Sequence, residues 1–193
     1  RQVRDASTMI RAQHPVTGFR PFEARNCADL GDVGPNPVDT TDTLARITEA
    51  ISRLRTADIR PISVGGDHLC TLPVLRALAV EGPLGLVHFD SHTDLYPPYF
   101  GGRALTHGNP FRVAVEEGLL DPRRMVQIGI RGTCYDSDDI DFARANGIRI
   151  IRIEEFFARG IPDVMAEARS IVGEEPTYLS YDIDFVDPTL SLI

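Results

Sequence analysis

The sequence predicts an α/β protein in three layers, with a central, mostly parallel sheet and helices on both of its faces. From Ile59 onward, short apolar runs alternate with stretches of helical periodicity. Such alternation places each helix in a right-handed crossover between parallel strands. The chain has 193 residues, 42% of them hydrophobic and 25% charged. This length and composition are typical of one well-buried globular domain.

The elements follow from the apolar periodicity, taken in chain order. Residues Asp5–Ala28 carry Pro15, Gly18 and Pro21, which predict an irregular or short helical segment. Apolar residues at steps of three and four then predict an amphipathic helix over Thr40–Leu54. The strands expected after it are Ile62–Val64, Leu84–Phe89, Met125–Ile130, Ile148–Ile153 and Thr177–Ile183. The helices expected between them are Leu72–Ala79, Pro110–Glu117, Ser137–Ala145 and Pro162–Ile171.

Charge and cysteine content exclude several classes of protein. A formal net charge of -8 argues against a nucleic-acid partner and fits a small cationic one, and a solvated acidic surface explains it equally well. Cys27, Cys70 and Cys134 have no paired spacing, which argues against a disulfide framework and a thiolate metal site. No stretch has the length of a membrane span, and the first residues form no signal pattern. We therefore expect a cytoplasmic protein with no membrane partner.

Carboxylates and imidazoles recur at every second position after two of the expected strands. Side chains alternate between faces in an extended chain, so each set projects from one face at a strand end. In parallel sheets, ligands bind beyond the carboxyl ends of the strands. The residues in these two sets are Asp90, His92, Asp94, Asp182 and Asp184.

A third candidate strand end carries His68, after the glycine pair Gly65 and Gly66. Four carboxylates and two imidazoles suit a divalent ion of the manganese kind better than zinc. The competing interpretation is that each Asp is a turn residue or a helix cap, which is common for a single position. Together, however, they would cost several kcal/mol each on burial unless a cation lay among them. The pattern therefore favours a site for two metal ions.

Four segments resemble the signature segments of one enzyme family. They are Gly65-Gly66-Asp67-His68, Asp90-Ser91-His92-Thr93-Asp94, His107-Gly108-Asn109-Pro110-Phe111, and Ser180-Tyr181-Asp182-Ile183-Asp184-Phe185-Val186-Asp187-Pro188. In this order they are similar to the ureohydrolases, the family of arginase and agmatinase, with the third segment closest to agmatinase-like members. The resemblance implies an arginase-like fold for a single domain over residues 1–193, incomplete at both ends. It also implies a homo-oligomer, as a trimer or hexamer.

The same resemblance implies a two-ion Mn2+ centre and the residues that hold it. One ion would be held by His68, Asp90, Asp94 and Asp182, and the other by Asp90, His92, Asp182 and Asp184. Asp94 would accept a hydrogen bond from the attacking water and pass its proton on. His107 would be an outer proton shuttle or a substrate contact, although a helix-start histidine without a catalytic duty is the alternative.

The implied reaction is hydrolysis of a guanidino group to urea and an amine. Tyr96 stands where the arginase branch carries an Asn that reads the amino acid's carboxylate, so arginine is not the expected substrate. We expect an agmatinase-type enzyme acting on agmatine or a related ω-guanidino compound, with guanidinobutyrate or guanidinopropionate specificity as the alternative. Arg103 could pair with a substrate carboxylate or could be a solvated loop residue. The glutamate that clamps the guanidinium in the family is expected downstream of Pro188. A non-catalytic, truncated metal-binding relative and a binuclear phosphoesterase remain the alternatives.

Overall fold

A computed structural model describes residues 2–186, which form two compact units. The first unit, up to Val33, contains the short helices α1 (Gln2–Ser7) and α2 (Pro21–Ala24). Within it, the Arg4 guanidinium forms ion pairs with Asp29 and Asp32. The second unit begins at Gly34. Asp187 and Pro188, the last two residues of the fourth signature segment, lie outside the described residues.

The second unit contains every strand of the described chain. Its helices are α3 (Thr40–Thr56), α4 (Thr71–Leu78), α5 (Pro110–Glu116), α6 (Asp138–Asn146), α7 (Ile153–Arg159) and α8 (Ile161–Val172). Its strands are β1 (Leu84–Phe89), β2 (Leu120–Ile130), β3 (Arg149–Arg152) and β4 (Thr177–Tyr181). They form one parallel sheet in the order β3-β2-β1-β4. None of the helices within residues 2–186 has the length and apolarity that a membrane span requires.

Helices cover both faces of the sheet, as the sequence predicted. Leu86 and Val87 are neighbours in β1 and therefore point to opposite faces. The core cluster around Leu86 includes residues of α4, α5 and β2, namely Leu72, Leu75, Phe111 and Met125. The cluster around Val87 includes residues of β2, β3 and α8, namely Val126, Ile128, Ile151, Val164 and Ala168. The three-layer α/β expectation is confirmed.

Local signals set several helix ends. Asp39 precedes α3, and its side chain accepts a hydrogen bond from the backbone N–H of Asp42, at 3.0 Å. Pro110 opens α5 at a position where its missing N–H costs no helical hydrogen bond. Gly147 ends α6 with φ of 77°, in the left-handed region that favours glycine. The start of α5 at Pro110 ends the loop that follows β1.

The prediction of a strand at Ile62–Val64 is wrong. The segment is irregular, and the side chains of Ile62 and Val64 are 95% and 74% exposed. An apolar run becomes a strand only when a neighbouring strand supplies hydrogen bonds, and β4 pairs only with β1 among the described residues. His68 does not follow a strand. It begins a short 3-10 turn, His68–Cys70, which is capped by the Asp67 carboxylate.

The region after β2 also differs from the prediction. The expected strand Ile148–Ile153 is only four residues long as β3, and Ile153 already begins α7, a helix that the periodicity did not predict. Arg149 and Arg159 pair with Glu155 and Glu167 across this region. These ion pairs depend on tertiary placement that periodicity does not contain.

Candidate metal centre

A cavity of about 240 Å³ lies at the carboxyl ends of β1 and β4. These strands are neighbours in a parallel sheet, so the segments that follow them meet at one edge. The backbone N–H of Asp182 donates to the carbonyl of Phe89 at 2.9 Å, which holds the two strand ends together. The cavity is lined by Gly66, Asp67, His68, Asp90, His92, Asp94, His107, Asp182 and Asp184.

His68 approaches three of the predicted carboxylates. Its Nδ1 atom lies 3.1 Å from Asp90 Oδ2, 2.8 Å from Asp94 Oδ2 and 3.4 Å from Asp182 Oδ2. The imidazole is held from its other side, because Nε2 lies 2.8 Å from Ser180 Oγ. The first four-residue set expected from the resemblance is thus brought together around one imidazole.

His92 forms a second group with Asp90 and Asp184. Its Nδ1 atom lies 2.9 Å from Asp184 Oδ2 and 3.6 Å from Asp90 Oδ1. Asp90 therefore faces His68 with one oxygen and His92 with the other. The structure thus brings all six predicted residues together, with Asp90 between the two groups. Their assignment as metal ligands stays a prediction.

The carboxylates of the site strongly stabilise positive charge on the groups beside them. Burial alone would lower the pKa of His68, but hydrogen bonds to Asp90 and Asp94 raise it to about 10. Hydrogen bonds to Asp184 and Asp90 raise the pKa of His92 to about 10. Burial would raise the pKa of Asp90, yet hydrogen bonds from His68, His88 and His92 hold it well below its usual range. The carboxylates thus draw protons onto both imidazoles.

This donor set fits divalent metal ions. Carboxylate oxygens and imidazole nitrogens suit ions of the manganese kind, and no cysteine lines the cavity. Asp90 and Asp94 are almost fully buried, and such carboxylates are stable only when paired with positive charge. A metal ion supplies that charge without requiring protonated histidines, whose neutral form is the one that binds metal.

Backbone hydrogen bonds fix the loops that carry these residues. Asp90 Oδ1 accepts from the N–H of His92 at 2.7 Å, and Asp184 Oδ1 accepts from the N–H of Ser91 at 3.0 Å. The Arg131 guanidinium donates to the carbonyl of Asp184 at 2.6 Å. Asp94 has φ of 53°, a left-handed conformation that Asp tolerates better than most residues. The site is therefore tied to both strand ends.

Sequence reasoning missed two residues that contact the site, His88 and Ser180. His88 is fully buried in β1, with Nε2 2.8 Å from Asp90 Oδ2. Each precedes a predicted Asp by two positions and therefore points to the same face of its strand. A polar residue inside an apolar run, two positions before a candidate ligand, was the signal that could have identified both.

His107 lines the cavity, and its role as a proton shuttle or substrate contact stays a prediction. Its Nε2 lies 3.4 Å from the hydroxyl oxygen of Tyr99, which also accepts from the N–H of Gly108 at 3.1 Å. The Tyr99 proton is therefore free to point at the imidazole. Arg103 is exposed in the adjoining loop and does not line the cavity.

Gly132 provides the space that His92 occupies. A Cβ atom at this position would lie 2.5 Å from Cδ2 and 2.8 Å from Nε2 of His92. We expect Gly132→Ala to displace the ring and weaken Mn2+ binding by about 10-fold or more, because overpacking costs about 1–3 kcal/mol. Titration calorimetry measures this, with Gly34→Ala as the control, since a Cβ at Gly34 has no neighbour within 4 Å. Equal affinity in the two variants would contradict the prediction.

The sequence is similar to known proteins over almost the whole chain. The sequence model of the arginase family matches residues 1–191. Guanidinopropionase of Pseudomonas aeruginosa is 51% identical over 191 residues, covering 99% of this chain and 60% of that protein. Mitochondrial agmatinase of Gallus gallus is 40% identical over 188 residues, covering 97% of this chain and 55% of that protein.

A solved structure is similar to this chain over almost its whole length. Proclavaminate amidino hydrolase from Streptomyces clavuligerus superposes with a TM-score of 0.88 at 38% identity, covering 97% of this chain and 62% of that one. The chain spans about 60% of the length of the guanidinopropionase that it matches.

Proposed function

The chain belongs to the arginase family, and we propose that the protein hydrolyses the guanidino group of a small ω-guanidino compound to urea and an amine. The observation that carries this proposal is the convergence of four carboxylates and two imidazoles in one cavity, with Asp90 facing both histidines. The family membership supplies the reaction class.

We propose two Mn2+ ions as the cofactor. When bound, they supply Lewis acidity that lowers the pKa of water toward neutrality. The chain's contribution is to hold the donors in fixed places, through the backbone hydrogen bonds to Asp90 and Asp184. The ligand sets are His68, Asp90, Asp94 and Asp182 for one ion, and Asp90, His92, Asp182 and Asp184 for the other.

Asp94 and His107 are proposed to transfer the protons of the reaction. Hydrolysis breaks the carbon–nitrogen bond to the amine. The water oxygen becomes the carbonyl oxygen of urea and loses both protons, and the departing amine nitrogen gains two to leave as an ammonium. Asp94 is almost fully buried at the cavity, where its carboxylate would accept a proton from the attacking water and pass it on. His107 lies at the cavity wall with Tyr99 beside Nε2, and it exchanges protons with solvent.

Within the substrate class, we place ω-guanidino acids ahead of agmatine. The relative named guanidinopropionase is 51% identical to this chain, whereas the agmatinase is 40% identical. Arginine is the least favoured candidate because Tyr96 occupies the place of the arginase-branch Asn. The reaction is the same for guanidino acids, agmatine and arginine. These substrates differ only in the group at the end of the molecule away from the guanidinium.

A urea-release assay with Mn2+ tests the function and the substrate separately. We expect 3-guanidinopropionate or 4-guanidinobutyrate to give the highest kcat/KM, agmatine a lower value, and arginine the lowest. Faster turnover of agmatine would overturn the substrate order alone. No urea from any of the four compounds would overturn the function, and hydrolysis of an aryl phosphate in its place would favour a phosphoesterase. A homotrimer or hexamer stays a prediction, which light scattering after size-exclusion chromatography tests.

A further inference from the structure

His88 and Gln127 form a buried polar pair that the proposed reaction does not use. They face each other in register across β1 and β2. Both side chains are 0% exposed, and Phe111 packs against the His88 ring with centroids 4.4 Å apart. Polar groups in such a position reduce stability unless they hydrogen-bond, so the partners of each atom determine what the pair does.

The Gln127 amide has one allowed orientation. Its Nε2 lies 2.5 Å from the carbonyl oxygen of Thr93 and 3.0 Å from His88 Nδ1. A carbonyl oxygen can only accept, so the atom facing Thr93 must be the amide nitrogen. The second amide proton then points at His88 Nδ1, which must accept it.

This arrangement determines which nitrogen of His88 donates. With Nδ1 accepting the amide proton, Nε2 is the nitrogen that carries the ring's donor hydrogen. That proton is donated to Asp90 Oδ2, 2.8 Å away. Both ring nitrogens are therefore engaged, and neither has a free lone pair for a metal ion, although His88 lies close enough to Asp90 and His68 to resemble a ligand.

Gln127 also holds the loop that carries two of the proposed ligands. Thr93 lies between His92 and Asp94, and its carbonyl accepts from the amide. The Gln127 amide thus holds the Thr93 loop directly, and it holds Asp90 through His88. The amide oxygen, Oε1, has no hydrogen-bond partner within residues 2–186, a loss of stability that a residue serving only the core would avoid.

We infer that His88 and Gln127 are positioning residues of the metal centre: Gln127 fixes the Nε2–H form of His88, which orients the Asp90 carboxylate. The inference rests on the proposed function, since it concerns the Mn2+ centre. Partners of this kind typically change metal affinity by about 10- to 100-fold. We therefore expect their loss to weaken Mn2+ binding by this factor and to leave two ions per chain.

Two substitutions at His88 separate positioning from packing. His88→Phe keeps the ring and its contact with Phe111 but has no donor, whereas His88→Gln loses the ring and keeps an N–H near the place of Nε2. Positioning predicts tighter Mn2+ binding by His88→Gln than by His88→Phe in calorimetric titrations. A packing role predicts the reverse order, and that order, or wild-type affinity in His88→Phe, would overturn the inference. A stoichiometry of one ion in either variant would show that His88 is a ligand, and would also overturn it.

The protonation state is tested without metal. Nitrogen NMR of the metal-free protein, labelled with 15N-histidine, should show His88 with Nε2 protonated and Nδ1 bare, and Gln127→Met should mix the two tautomers. Met125→Leu, two residues earlier on the same face of β2, is the matched control and should leave the spectrum and the affinity unchanged. An Nδ1–H signal in the wild type overturns the inference. A wild type that shows the expected tautomer but binds no Mn2+ overturns the proposed function instead.

Discussion

Asp90→Asn is expected to abolish Mn2+ binding and to lower kcat/KM for urea release by at least about 1,000-fold, equivalent to about 4 kcal/mol of transition-state stabilisation. Asp90 is the one side chain among the described residues that faces both His68 and His92. Asn removes the negative charge that both groups share. It also introduces an NH2 group, which must face either the His88 Nε2–H or the backbone N–H of His92, because each Asp90 oxygen accepts one of these.

The control for this substitution is Asp121→Asn. Asp121 lies near the amino end of β2, away from the strand ends that form the cavity, and its carboxylate accepts only from the N–H of Arg123 among the described residues. Both variants lose one negative charge, so long-range electrostatic effects are matched. We expect the control to bind Mn2+ and release urea as the wild type does. Asp90→Asn with two bound ions and more than a tenth of the wild-type kcat/KM would contradict the assignment of Asp90 as a ligand shared by the two ions.

The site was largely predictable because its information is local. The alternation of an extended chain grouped Asp90, His92 and Asp94 from their spacing. The structure brings them together by another route, because they lie in the irregular chain after β1 and Asp94 has φ of 53°. Parallel strands then bring their carboxyl ends to one edge, which joined that group to Asp182 and Asp184 without knowledge of the strand order. The Arg131 contact that ties these two segments together depends on tertiary structure and left no trace in the spacing.

The errors in the fold have a shared physical cause. Ile62 and Val64 have the residue types of a strand, yet strand formation depends on a partner that sequence patterning does not identify. The same dependence on cross-strand partners explains why the duties of His88 and Gln127 were missed. They are 39 residues apart, and only the register of β1 against β2 sets one opposite the other. Periodicity predicts the face of a strand but not its neighbour.

Removal of metal should inactivate the protein and also lower its thermal stability. A ligand at 100 times its Kd that binds only the folded state adds about 2.7 kcal/mol per site. For a chain of this size, each kcal/mol changes Tm by about 2–4 °C, so chelation should lower Tm by about 5–10 °C per ion. Without metal, the folded protein would balance the charge of the buried Asp90 and Asp94 with protons on the histidines. Protonated histidines stabilise these carboxylates less than two divalent cations do.

Thermal unfolding with Mn2+, with EDTA, and with EDTA followed by excess Mn2+ measures this effect alongside urea release. We expect Tm and activity to fall together and to recover together. Asp90→Asn serves as the control, since a chain that binds no Mn2+ should show the same Tm in all three conditions. A wild-type Tm that is insensitive to EDTA while activity is lost would mean that the ions bind too weakly to stabilise the fold. In that case the four carboxylates would be held at the strand ends by their hydrogen bonds alone, and the metal would contribute only to the reaction.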